Sequence, residues 1–532
     1  MDHHGNEEIS SNAPRTRVIV KSGANLETVR SEKVSRPLVE HMNKDKENCD
    51  TSAIPQLLWA AKTGNVATVS SILSNQGVDS DNYPNAEDTE TGWSALASAA
   101  YEGHASVVEV LLQNERVDRN AGRKGFTAFM LAAAQGHARV VELLLADERV
   151  NRKVTDADGF SALTFAALRG HTSVARLLLA DEDVNPNAAD KDGFTPLMQA
   201  AGSGHVEVVE MLLSDGRVNP SMISREGCTA LGAASFEGKA EVVALLLGDE
   251  RVDPNKREEH GQTALFLAIR EGHDSVVETM LASPRVDPSV VAEDGISALL
   301  LAAQEGHEAM VDMLLRNERV EPRALSRNGH TALICAACAG HASVVARLLR
   351  DERLDCNMAD ALGFTALSHA VLRNIPAVVE QLLANDRMDP NLGNATGLTP
   401  LMLAASSGYA DVFTKLLAHR AVDPNAREIL NGATTLSIAA ENGHEPILEL
   451  LLADERTHRD RPDPTNEGDC NAYDAALKIV KSRRRARFKG LARAFIVLRR
   501  MRLRAALEVY APGGAGFTAA QANFSHVASA YM

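Results

Sequence analysis

The sequence predicts an all-α solenoid of stacked helix-turn-helix units closed by hairpin loops. Three observations lead there. A glycine recurs at Gly92, Gly125, Gly159, Gly193, Gly227, Gly261, Gly295, Gly329, Gly363, Gly397 and Gly432, and from Gly125 to Gly397 the step is 34 residues eight times running. A Gly-His pair follows at a fixed offset, with its histidine at His104, His137, His171, His205, His273, His307, His341 and His444. An apolar helix pattern comes next, as in Val208, Val209, Leu212 and Leu213. A fixed period of this size marks a repeat architecture, whose units cannot bury their apolar faces alone and stack to do so.

The unit at residues 193–220, GFTPLMQAAGSGHVEVVEMLLSDGRVNP, gives the reason for each element. Asp192-Gly193 signals a tight turn. Thr195 is placed to cap the first helix, and Pro196 takes its first position, where a missing N–H costs nothing. Leu197, Ala200 and Ala201 give that helix a narrow apolar face, and Gly204 supplies the left-handed residue that ends it. The Val-Val and Leu-Leu pairs then line one face of a second helix.

These units resemble the ankyrin repeat, whose pattern G-x-T-P-L-H-x-A-A-x-x-G-H precedes an apolar helix and a hairpin. Gly193-Phe194-Thr195-Pro196-Leu197 and Gly397-Leu398-Thr399-Pro400-Leu401 carry it most literally, and the resemblance covers residues 55–460. There are two departures. Met130, Thr164, Met198, Phe266, Leu300 and Met402 stand where the motif has its first histidine, so apolar packing is expected in place of its hydrogen bonding. After the second helix the chain reads Asp-Glu-Arg-Val (147–150, 249–252) or Asn-Glu-Arg-Val (114–117, 317–320), one residue longer than the family turn. The pairs Glu148-Arg149, Glu250-Arg251, Glu318-Arg319 and Glu352-Arg353 read as a solvated salt-bridge edge worth little each.

Residues 1–54 are polar and without periodicity, and are expected to be disordered. The solenoid is expected over 55–460: a degenerate first repeat at 56–75, a polar insertion at 79–91, and repeats two to twelve over 92–455. The tenth is irregular, with Arg373-Asn374-Ile375-Pro376 replacing x-Gly-His-x, although Pro376 can open a helix. Residues 461–532 read as a linker, a decayed capping repeat, a basic helix and an Ala-rich tail. Twelve helix pairs at the usual packing distance would give a curved rod on the order of 100–120 Å long, with a concave face and a ridge of hairpin tips.

Composition narrows the class. The chain is 45% hydrophobic but 4% aromatic, as expected where Ala and Leu fill thin layers. No stretch approaches the roughly 18 uninterrupted apolar residues of a membrane helix. The start, MDHHGNEEISSNAPRTR, lacks the apolar core of a signal peptide. Six cysteines in this length make no disulfide framework, so an intracellular protein, cytoplasmic or nuclear, is expected rather than a secreted one. The net charge is −16, yet residues 478–504 contain three Lys, nine Arg and no acid. An acidic body thus carries one basic segment.

No P-loop, Gly-x-Ser-x-Gly, His-Glu-x-x-His or kinase signature is present, so no catalytic residue and no cofactor is expected and the chain is read as a binder rather than an enzyme. The Gly-His histidines, about 10 Å apart between repeats, are too distant to share a zinc and read as structural turn residues. Cys335-Ala336-Ala337-Cys338 with His341, and His330 nearby, looks like a metal site. Its register argues otherwise: the cysteines replace helical residues such as Leu131 and Ala134, so they read as buried apolar groups and no metal is assigned. Asp156-Ala157-Asp158-Gly159 and Asp190-Lys191-Asp192-Gly193 read as hairpin turns, not calcium loops.

The ankyrin resemblance implies a protein partner that contacts the hairpin tips and the ends of the first helices. Candidates at the tips are Trp93, Phe126, Phe160 and Phe194; on the first helices they are Tyr101, Leu168, Phe236 and Arg270. The aromatic tips form either an exposed stripe or rings folded down between hairpins. The basic helix offers Arg483, Arg484, Arg485, Arg487, Lys489, Arg493, Arg499 and Arg500. It reads as a cap on the last repeat, a calmodulin-like target helix, a nucleic-acid or anionic-lipid binder, or a nuclear import signal over 481–487. The sequence therefore predicts a non-enzymatic scaffold or adaptor. Binding of nucleic acid or anionic membrane through 478–504 is the alternative, distinguished by its steep salt dependence.

Overall fold

A computed structural model describes residues 53–74, 84–89, 91–123, 125–258, 261–429 and 432–458, together with 478, 481 and 482. The expected disordered N-terminal segment up to residue 52, and the linker, capping repeat, tail and nearly all of the basic helix, lie outside these residues. Twelve helix pairs follow one another among the described residues, from Ala53–Lys62 with Val66–Ser74 to Thr435–Glu441 with Glu445–Ala453. Among the described residues, extended structure is confined to the short hairpin of Gly122–Arg123 with Phe126–Thr127 and to isolated bridges such as Val291 with Ser297. The repeats fall into two compact units. One runs up to Ala200 and takes in His205–Asn219; the other takes in Ala201–Gly204 and continues from Pro220.

Most first helices start on a hydroxyl cap; Thr263, before Ala264–Glu271, makes no such bond. Ser94, Thr127, Ser161, Thr229, Ser297, Thr331, Thr365 and Thr399 accept from the backbone N–H three residues on, satisfying one of the orphan donors of a helix start. Thr195 does so from Met198 at 3.3 Å, and Pro196–Ser203 begins on its proline. The second helices bury their Val-Val-Leu faces completely, as at Val140, Val141 and Leu144. Met130, Thr164, Met198, Phe266, Leu300 and Met402 are all buried, so apolar packing stands in for the missing histidine except at Thr164, whose hydroxyl accepts from the Ser161 amide in a capping box.

The turn between the two helices joins successive repeats. Gly136 ends a first helix at φ +79°, and a Cβ there would lie 2.6 Å from the ring of His171 in the next repeat. His171 Nε2 meets the Ala134 carbonyl at 3.0 Å, which requires the ring proton on Nε2. Burial lowers the His171 pKa and keeps the ring neutral. The same bond joins His104 to Lys62, His137 to Tyr101, His205 to Leu168, His273 to Phe236, His341 to Gln304 and His444 to Ser406, at 2.8–3.0 Å. Seven of the eight Gly-His histidines are thus clamps between repeats as well as turn residues; the Nε2 of the eighth, His307, is buried without a hydrogen-bond partner. In the irregular tenth repeat Asn374 takes the left-handed turn at φ 53°, Ile375 faces Gly340, and Pro376–Leu383 opens on its proline.

The Glu-Arg loops do carry solvated ion pairs, but the acid is the aspartate two residues before the arginine: Arg149 pairs with Asp147 and Arg353 with Asp351 at 2.7 Å, and Arg251 with Asp249 at 2.6 Å. Arg217 and Asp215 form the same pair at 2.7 Å in a loop without the glutamate. Each aspartate carboxyl is held below its usual pKa chiefly by that arginine's hydrogen bond. The arginines also reach the previous repeat. Guanidinium nitrogens of Arg217, Arg285, Arg319, Arg353 and Arg387 donate to the carbonyls of Leu179, Leu247, Leu281, Leu315 and Leu349 at 2.5–2.7 Å. These carbonyls end the previous second helix, where they lack helical partners and carry the negative end of its dipole. Nearby, Asn187, Asn255 and Asn357 donate to the carbonyls of Arg217, Arg285 and Arg387 and accept from the amides of Asn219, Asp287 and Asp389.

Gly136→Ala is expected to lower the thermal midpoint, because it puts a side chain at positive φ, at a cost of about 1–2 kcal/mol, and drives a methyl into the His171 ring. Gly248→Ala, where a Cβ meets nothing within 4 Å, is expected to be neutral or mildly stabilising. Circular-dichroism melting of both variants checks the pair, and equal loss in the two would show that the clamp contributes nothing.

Candidate functional site

Several hairpin tips are built on one local device. The Asp156, Asp190 and Asp360 Oδ1 atoms each accept two backbone N–H groups: from Asp158 and Phe160, from Asp192 and Phe194, and from Leu362 and Phe364, all at 2.8–3.0 Å. This turn fixes the backbone of the residue after the tip glycine, which is where the aromatic candidates stand.

In the first unit the rings lean inward. Phe126 and Phe160 pack on Phe165, with ring centroids 5.8 and 5.2 Å away, and Trp93 packs on Tyr101 at 4.8 Å. Phe160 is buried, whereas Trp93, Tyr101, Phe126 and Phe194 are half-buried and keep exposed edges. Leu168 is buried; Phe236 and Arg270, in the second unit, are half-buried. Phe165, which receives two of the rings, was not singled out from the sequence because it lies inside a first helix. Arg483, Arg484, Arg485, Arg487, Lys489, Arg493, Arg499 and Arg500 lie outside the described residues.

The second unit presents a different surface. Leu362 is 66% and Ile429 74% exposed at their hairpins, with Ile223, Val291 and Leu325 also exposed, and Leu372 exposed at the end of a first helix. The available signal was an apolar residue inside a polar tip, as in Asp360-Ala361-Leu362-Gly363.

Two titratable groups stand out at the tips of this unit. Glu258 stands where other tips carry aspartate, and its Oε1 accepts from the Thr229 hydroxyl at 2.8 Å and amide at 3.1 Å. Gly232 makes the space: a Cβ there would lie 2.1 Å from Glu258 Oε1. Burial pushes the Glu258 pKa up to about 7, against the opposing pull of the Thr229 hydrogen bonds.

The second group is His330, Asp360 and His369, whose donor atoms all lie within 4.8 Å of one another. Asp360 Oδ2 meets His369 Nε2 at 2.8 Å and His330 Nε2 at 3.7 Å. The two imidazoles stand edge to face with centroids 5.5 Å apart. In the sequence His330 groups with Cys335, Cys338 and His341. The His341 ring instead bonds the Gln304 carbonyl, and burial pushes the Cys335 and Cys338 thiols up to about 12 and about 11, as expected of inert apolar-like cysteines.

Repeated helix pairs, clamped at their turns and presenting variable tips, define a solenoid of the interaction class. The chain belongs to the ankyrin-repeat family: the family model for ankyrin repeats (3 copies) matches residues 57–154, 129–223, 216–292, 281–360, 299–394, 343–428 and 367–463. No curated protein matches the chain. Among the described residues no helix is long and apolar enough to cross a membrane.

The raised pKa of Glu258 makes folding take up a proton between pH 4.5, its unfolded value, and about 7. Its stabilising contribution is complete below pH 4.5 and is lost as pH rises through 7, by up to about 3 kcal/mol. Glu258→Gln is therefore expected to gain stability relative to the parent across that window and to keep a constant advantage above it. Urea midpoints measured from pH 4 to 8 check this, and a difference that does not change with pH would refute it.

Proposed function

We propose that this chain is a non-enzymatic scaffold or adaptor that binds a partner protein along its first-helix face and hairpin tips. Ankyrin repeats generally mediate protein–protein interaction. The observation that carries the reading is the row of apolar side chains offered to solvent on hairpins of the second unit, above all Leu362 and Ile429. Apolar area covered by a partner contributes about 25 cal/mol per Å², and these side chains stabilise nothing while exposed. Trp93, Tyr101, Phe126 and Phe194 add aromatic edges on the first unit, and Phe236 and Arg270 add first-helix positions on the second.

The test is affinity capture from cell lysate, under nuclease, with the full chain, a Leu362→Ser/Ile429→Ser variant and a Phe126→Ser/Phe194→Ser variant. A protein partner reduced at least tenfold by the first variant, at unchanged melting temperature, supports the second-unit tips. Loss with the second variant instead moves the surface to the aromatic tips. Partners retained by both variants, or removed by nuclease, overturn the tip-binding reading.

A further inference from the structure

We propose that His330, Asp360 and His369 form a binding site for one divalent metal ion of the zinc class. The three side chains come from two adjacent repeats: His330 follows the tip glycine of the ninth, Asp360 opens the tip of the tenth, and His369 lies on the tenth repeat's first helix, Ala366–Leu372. Their backbones are fixed independently of any ion. The two hairpins are tied by the Ala361 amide donating to the Asn328 carbonyl at 3.1 Å, and His330 is anchored by its amide donating to Ser326 Oγ at 3.1 Å.

The geometry suits a tetrahedral ion. Zinc–ligand distances near 2 Å place neighbouring donor atoms about 3.4 Å apart. The separations of 2.8 and 3.7 Å from Asp360 Oδ2 straddle that figure, so the ion would replace the Asp360–His369 hydrogen bond after a small rotation of the His330 ring. Asp360 is already oriented for the task. Its Oδ1 is occupied by the Leu362 and Phe364 amides, which leaves Oδ2, now bonded to His369, to meet an ion and supplies the outer hydrogen bonds that carboxylate ligands use.

Two imidazoles and one carboxylate favour zinc and similar transition ions over calcium or magnesium. Three protein ligands leave one position for water. The site opens to solvent on the side of His330, whose side chain is 31% exposed, while that of Asp360 is shielded at 4%.

A purely structural role would not call for this combination. Elsewhere the Asp-to-helix bond is made by Gln199, whose Nε2 donates to Asp190 Oδ2 at 3.2 Å, and the residue after the tip glycine is commonly a phenylalanine, as at Phe194 and Phe364. Asn394 takes the place of Asp360 in the eleventh repeat and holds the corresponding amides of Thr396 and Leu398. The chain therefore supplies its own conservative replacements. His369→Gln, His330→Phe and Asp360→Asn each install a residue that another repeat already tolerates.

The experiment titrates zinc chloride into the full chain after chelator treatment, in competition with a chromogenic chelator, and follows the melting temperature with zinc and with calcium. The expected result is one site per chain and a zinc-dependent rise in melting temperature that calcium does not give. Each of the three variants should melt near the parent without metal and bind zinc at least about 100-fold more weakly. Cys335→Ala/Cys338→Ala should bind as the parent does. The proposal is overturned if the parent binds no stoichiometric zinc, if the three variants retain parental affinity, or if the cysteine variant loses the ion.

Discussion

The packing of an imidazole from one repeat onto the turn glycine of the repeat before it is the contact on which the fold depends. The glycine is required twice over at Gly136: its φ of +79° suits no ordinary side chain, and the space a Cβ would fill belongs to His171. The ring then returns a hydrogen bond to the carbonyl at the end of the preceding first helix, closing a group that helix geometry leaves unpaired. A single short residue thus ends a helix, sets the approach of the next repeat and fixes the tautomer of its neighbour. Where the pattern lapses the constraint is met by other means, with Asn374 in the left-handed turn and Ile375 over Gly340.

The long loops apply the same logic at the other end of the unit. Their arginines satisfy the carbonyls that end the previous second helix, while the paired aspartate holds each guanidinium in place. A charged group aimed at an orphan carbonyl row is worth more than an exposed ion pair, because it removes an unsatisfied acceptor as well as adding Coulomb attraction. With both helix ends satisfied across the repeat boundary, and the Val-Leu faces fully buried, little freedom remains except at the hairpin tips. That is where the repeats differ most: inward-leaning aromatics in the first unit, exposed apolar side chains in the second, and the His330, Asp360 and His369 group between two neighbouring hairpins.

Much of this was legible from the chain alone. The period, the Thr195 cap, the turn at Gly204 and the helix reopened by Pro376 all follow from residues within one turn of each other, so the sequence carries the full physical cause. The buried fate of Cys335 also followed from its register in the repeat. The candidate site was less legible. The same rule that located the tip positions could not say whether Phe160 points outward or onto Phe165, since the energy of that choice depends on a ring in the first helix. Leu362 stands one place before the tip glycine, outside the position at which the aromatic residues recur.

What the sequence determined by itself is the repeat: its length, its caps and turns, and the faces that must be buried, because these rest on local backbone chemistry and periodicity. What only the tertiary structure decided is the partner of each polar side chain. His171 with Ala134, Arg217 with Leu179 and His330 with Asp360 are each separated by about one repeat along the chain. They meet because stacking brings equivalent positions side by side. Which of the nearby acids, carbonyls or rings a side chain then selects is settled by distances of a few ångströms that a one-dimensional pattern does not contain.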